Sequence, residues 1–209
     1  MSLILAIKFS NGTVLAIDGH TTQLRGRLEA MESRAIPIKN DLIIGAAGQK
    51  GVIFDIVEYC LKSASNYTNP SFESYAGNLS DKCAVWQMEA ECKFGRPRLR
   101  SADFIVASPD RIRSVHYTGY EEESEDFACA GIGRRYGIHL LSRNYRSELS
   151  VHNAEMLAVH VITETANIDY SVGKGARIFV LRKGCASEEL SKEQVDNLKM
   201  EVAPQPLFK

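Results

Sequence analysis

Residues 2–17 read SLILAIKFSNGTVLAI, two short β-prone runs on either side of Asn11-Gly12. An Asn-Gly pair between apolar runs is a strong short-range hairpin signal. The chain therefore begins inside a sheet. A polar excursion from Gly19 to Glu32 separates this hairpin from a second one. There Ala35–Ile38 and Leu42–Gly48 flank the turn Lys39-Asn40-Asp41, and the two hairpins are expected to share one sheet.

Helical spacing follows. Val52, Ile53, Ile56, Val57, Cys60 and Leu61 recur along Lys50–Ala64, and Ser71–Cys92 reads as a more polar helix that packs beside it on one sheet face. Strand-like runs return at Ala102–Ala107, Ile112–Tyr117 and Phe127–Ala130. They are separated by the turn Ser108-Pro109-Asp110 and by an acidic stretch, Glu121–Asp126, expected as a loop, and they are assigned to a second sheet. Ser150 caps an amphipathic helix carrying Val151, Ala154, Leu157, Ala158, Val161 and Ile162, and Ala176–Leu181 is a late strand. The order β-β-α-α-β-β-α-α-β predicts an α+β fold, a four-layer αββα sandwich of two antiparallel sheets. Without a linker or repeat, residues 1–209 are expected to form one domain, with 187–209 as a peripheral C-terminal tail.

Composition excludes several functions. With 25 basic and 26 acidic residues the net charge is −1, which offers no electrostatic footprint for nucleic acid. No run approaches the ~20 apolar residues that span a bilayer, and Leu3–Ile7 is too short and lacks the basic flank of a signal peptide. No membrane association is expected. Five cysteines without a C-x-x-C pair argue for a reducing, cytoplasmic setting. No HExxH occurs among the five histidines, so no metal is expected. Gly131-Ile132-Gly133 approaches a dinucleotide loop, but the third glycine comes one place late, at Gly137, and no parallel βαβ unit surrounds it. No cofactor is implied.

Ser2 carries the chemical interest. Removal of Met1 would leave a hydroxyl and a free α-amine on one residue, and such an amine, with a pKa of about 7.7–8.0, is a natural general base near neutral pH. A nucleophile paired with an N-terminal amine is a recognised activated arrangement.

The order of a small second residue, an edge strand, G-x-V-L-A-x-D at Gly12–Asp18, Thr21-Thr22, a basic Arg34 and a strand ending at Gly48 resembles the proteasome β-type subunits and their bacterial peptidase relative. These belong to the N-terminal nucleophile (Ntn) hydrolase superfamily. The resemblance returns at Ala130–Gly133, along the Ser150 helix and at Asp169–Gly173. It implies a peptidase or amidohydrolase acting on peptide or unfolded-protein substrate within a homo-oligomeric ring, with a partner ring or an ATPase as further partners. It places Ser2 as nucleophile, Asp18 and Asp169 as supporting acids, Arg34 at the position of the family's lysine and the Gly48 N–H at the oxyanion position. Thr21, Thr22, Glu32, Ile36, Ala46, Lys50 and Phe54 would line the substrate pocket, with Glu32 and Lys50 either paired with each other or facing substrate. Three departures stand out. Arg34 keeps the charge but cannot shuttle a proton. Ile132 and Val172 replace two serines that support the family's nucleophile. A catalytically silent ring-forming subunit, or a transpeptidase on the same fold, are the alternative readings.

Overall fold

The opening hairpin forms with its turn one residue earlier than Asn11-Gly12. In the computed structural model, which describes residues 2–19, 21–23, 30–65, 70–94 and 102–202, β1 (Leu3–Phe9) pairs antiparallel with β2 (Gly12–Asp18), Phe9 opposite Gly12. The loop is thus Ser10-Asn11, and neither residue has a positive φ. Gly12 is required for another reason: a Cβ there would stand 2.0 Å from the carbonyl oxygen of Leu181 on the neighbouring strand.

The two hairpins do not share a sheet. β1 is flanked by β2 on one side and β9 (Phe127–Gly131) on the other, so it is an interior strand rather than an edge. β10 (Ala176–Arg182) and β11 (Glu188–Glu189) complete a five-stranded antiparallel sheet in the order β11-β10-β2-β1-β9. The second hairpin, β4 (Ala30–Lys39) and β5 (Leu42–Gln49), lies in the other sheet, of order β3-β4-β5-β6-β7-β8. There it joins β3 (Thr21–Gln23), β6 (Ala102–Ala107), β7 (Ile112–Val115) and β8 (Glu121–Ser124). Two further expectations are corrected here: Phe127–Ala130 belongs to the first sheet, and part of the acidic stretch is a strand.

The reason lies in the apolar pattern. The run LILAI does not alternate, because both faces of β1 are covered. Leu3, Leu5 and Ile7 join the core beneath the helices, while Ile4 and Ala6 meet Ile43, Ala47, Ile105 and Ala107 of the opposing sheet. The hairpins face each other across that inter-sheet core. Helices α1 (Lys50–Ala64) and α2 (Phe72–Phe94) cover the second sheet through Val52, Ile53, Ile56, Leu79 and Cys83. α3 (Arg134–Asn144), α4 (Val151–Ile168) and α5 (Lys192–Val202) cover the first. The layers run helix, sheet, sheet, helix, as the element order predicts. Ser150 caps α4 by accepting a hydrogen bond from the Asn153 N–H at 3.1 Å. The C-terminal segment lies on the outer edge and face of the first sheet and lends Leu190, Val195 and Leu198 to its core.

Leu3 and Ile4 are fully buried. Burial of such side chains stabilises by about 1.5–3 kcal/mol each, so β1 is anchored where Ser2 precedes it.

Candidate active site

Ser2 stands at the buried start of β1, 2 % exposed. The β1–β2 register puts Ile17 opposite Ile4, which brings Asp18, the last residue of β2, alongside the Ser2–Leu3 peptide. Two backbone donors hold its carboxylate. Leu3 N–H donates to Oδ1 at 3.1 Å and Gly173 N–H donates to Oδ2 at 2.8 Å. A carboxylate 1 % exposed is tolerated when its oxygens are satisfied in this way.

Gly131 closes the other side. Leu3 is its partner in the β1–β9 ladder. Its φ is +89°, and a Cβ on it would lie 2.4 Å from the Ser2 carbonyl oxygen and 3.0 Å from the Ala47 Cβ. Only a residue without a side chain lets the start of β1, the end of β9 and the end of β5 converge there. Gly48 follows Ala47 directly, so its backbone belongs to the same junction.

Asp169 sits at the C-terminal end of α4. Its carboxylate accepts hydrogen bonds from the Ser171 N–H at 2.9 Å and from the Ser171 hydroxyl. Its own carbonyl accepts from the Val172 N–H at 2.9 Å. The turn thus formed carries Gly173, whose N–H grips Asp18. The two acids named from the sequence are therefore joined through one short turn. Ser171 is a residue the sequence reading missed. It is 4 % exposed, and the Asp-x-Ser spacing of an Asx turn was the available signal. Val172 packs into the helix-side core, and Ile132 is 48 % exposed.

Arg34, opposite Ala46 in the β4–β5 ladder, lays its guanidinium over the Phe54 ring at 4.3 Å, with the Lys50 Nζ 5.8 Å from the same ring. Ala46 is fully buried beneath α1, and Ile36 packs against the same core. Arg34, Ile36, Ala46, Lys50 and Phe54 thus gather on one face. Of Thr21, Thr22 and Glu32 only the backbone is described: Thr21 pairs with Glu32, and Glu32 with Gly48. The expected Glu32–Lys50 alternatives fall outside the described side chains.

Three cysteine thiols are poor competitors for nucleophilic chemistry. Burial pushes Cys60, Cys83 and Cys129 up to about 12, so they stay protonated at neutral pH. Among the described residues no group of three His, Cys, Asp or Glu is placed to hold a metal, and no helix is long and apolar enough to cross a membrane.

The architecture is the αββα sandwich of the N-terminal nucleophile fold, with a buried serine leading a central strand beside a clamped carboxylate. The chain belongs to the family described as proteasome subunit, whose model matches residues 2–181. It is 23 % identical over 185 residues to proteasome subunit beta type-1 of Saccharomyces cerevisiae, covering 85 % of this chain and 82 % of that protein. It is 24 % identical over 197 residues to proteasome subunit beta 1 of Thermococcus kodakarensis, covering 93 % of this chain and 94 % of that protein.

Proposed function

We propose that this chain is a proteasome β-like subunit that hydrolyses peptide bonds with Ser2, as a single domain working within a homo-oligomeric ring in the cytoplasm. The observation that carries the proposal is the Asp18 carboxylate, buried and held by the N–H groups of Leu3 and Gly173 immediately beside Ser2. A strand that merely began with serine would have no need of a buried acid at that point.

In this reading, cleavage after Met1 frees the Ser2 amine. The amine takes the Ser2 hydroxyl proton as Oγ attacks the substrate carbonyl carbon. The Gly48 N–H receives the oxyanion, where one preorganised donor is worth about 2.7–4 kcal/mol. The amine then passes its proton to the departing peptide nitrogen, leaving an ester on Ser2 that water hydrolyses. Asp18 and Asp169 orient the site, and Arg34 supplies positive charge. The face formed by Ile36, Ala46, Lys50 and Phe54, with Thr21, Thr22 and Glu32, receives the substrate side chain. A partner ring or an ATPase that delivers unfolded chains completes the assembly.

A catalytically silent ring subunit is the second reading. It is favoured by the Arg34 guanidinium stacked on Phe54 and by Val172, an apolar residue turned into the core where the resembling family has a serine.

Ser2→Ala decides between them. Alanine keeps the amine and the strand but removes the attacking oxygen, so hydrolysis of fluorogenic peptides should be lost with fold and assembly unchanged, while Ser2→Thr retains activity. Processed wild-type protein with a proven free Ser2 amine that neither turns over peptides nor takes label from electrophiles would establish the silent subunit instead.

A further inference from the structure

We infer that Asp103 is a positioning residue for Ser2, acting through Gly131; the inference rests on Ser2 being the nucleophile. Asp103 lies in β6 opposite Ala47 of β5. Its alternate neighbours Ile105 and Ala107 point into the inter-sheet core, so strand periodicity turns Asp103 toward the other sheet at the same end as Ser2. The carboxylate spans two chain segments there. Oδ1 accepts from the Tyr117 N–H at 3.1 Å, just beyond β7, and Oδ2 accepts from the Gly131 N–H at 3.3 Å. The second bond crosses between sheets and ends on the glycine where a Cβ would collide with the Ser2 carbonyl oxygen, at 2.4 Å.

An acid serving only the turn after β7 would need one donor. This one holds Tyr117 and Gly131 together, and both bonds are charge-assisted. Gly131 is also the ladder partner of Leu3, so its position sets where β1 begins. Behind the carboxylate opens a cavity of about 300 Å³ lined by His116, Tyr120, Glu122, Ala130 and Arg134. The His116 Nε2 stands 3.8 Å from the Asp103 Oδ1. The side chain is 21 % exposed, so its loss leaves space that water can enter instead of a collapsed core.

The test uses the full-length, processed protein and the variants Asp103→Ala and Asp103→Asn. Hydrogen–deuterium exchange of the segments covering residues 2–9 and 127–133 reads the clamp, and steady-state peptide turnover reads its consequence. In Asp103→Ala, exchange at Gly131 should accelerate by about 10-fold. Because a displacement of the order of 1 Å can cost about 100-fold, kcat should fall roughly 10- to 100-fold with KM little changed. Asp103→Asn keeps one acceptor and turns an amide N–H toward the other donor, so it falls between. A merely structural role would lower melting temperature and active fraction together and leave the kcat of the folded fraction intact; that result, or unchanged exchange at Gly131, overturns the inference. If wild-type protein itself shows neither turnover nor labelling at Ser2, the hydrolase reading fails separately. Asp103 is then judged by exchange alone: acceleration at Gly131 together with residues 2–4 upholds its hold on Ser2, and no acceleration overturns it.

Discussion

Arg34 is the residue at which the proposed chemistry is most exposed to test. A guanidinium keeps its charge at every accessible pH, so it can stabilise a developing anion but cannot give and take a proton. Its position over Phe54 at 4.3 Å also suits a planar cation better than an ammonium. Arg34→Lys therefore trades stacking for proton exchange. General acid–base help is worth about 10²–10⁴-fold, so recovery of even part of it should appear as at least a ~10-fold rise in kcat. Unchanged or lower kcat, measured on protein with a proven free Ser2 amine, would show that proton transfer at this position does not limit the reaction. At this scale the sequence revealed what motifs encode. Ser2, Asp18 and Asp169 stand in recognisable strings, and Asp18 and Asp169 meet through the Gly173 turn. Asp103 and Ser171 stayed hidden because an acid early in a strand and a serine in a turn are ordinary residues. Their meaning lies in partners, and for Asp103 the partner Gly131 is 28 residues away.

Elements were legible where apolar periodicity was strong and illegible where charge forms the structure. β8 is the clearest case. Its sequence, EEES, has no apolar face and reads as a loop, yet as an edge strand it needs none. Cross-strand ion pairs hold it instead. Arg113 faces Glu123 across the β7–β8 ladder, at 2.6 Å between Nη2 and Oε2, and Arg111 grips the same carboxylate with Nε and Nη2, both at 2.8 Å. Arg111 also pairs with Glu73 of α2, tying the sheet edge to the covering helix. Strands apolar on both faces do not say which neighbour they prefer, so the sequence alone points both hairpins to one sheet. Hydrogen bonds from Arg111 and then Arg113 hold the Glu123 carboxyl down at about 2, against an ordinary value of 4.5. A lowered pKa in the folded state gives stability that is fully present above 4.5 and is lost as pH falls through about 2. Glu123→Gln should thus lower the thermal midpoint at neutral pH, and the gap from wild type should close as pH drops through that window. A gap that stays constant from pH 7 downward, followed by scanning fluorimetry, would show that these ion pairs do not govern the edge; their solvent exposure keeps the expected effect small.

For the molecule as a whole, the question is what covers its surface. Tyr120, Ile132 and Tyr136 lie exposed around the start of α3, and Ile168 and Tyr170 flank Asp169, with Tyr170 94 % exposed. Val85 and Met88 face outward from α2. Single exposed apolar residues are ordinary, but sets of aromatic and aliphatic side chains beside a candidate active site mark contact surfaces. Copies meeting head to tail through such patches close into a ring when the rotation between them is a simple fraction of a turn. A ring would wall off the end of β1 that carries Ser2, which limits attack to chains threaded into it. The resemblance to proteasome β-type subunits implies a six- or seven-membered ring, so multi-angle light scattering of the untagged protein at micromolar concentration should give a mass of roughly six or seven copies of the 23.2 kDa chain, or twice that for two stacked rings. Obligate interfaces persist at such concentrations. A sharp 23.2 kDa species would remove the chamber from the hydrolase reading and would leave the silent-subunit reading with nothing to assemble, so both rest on this one mass.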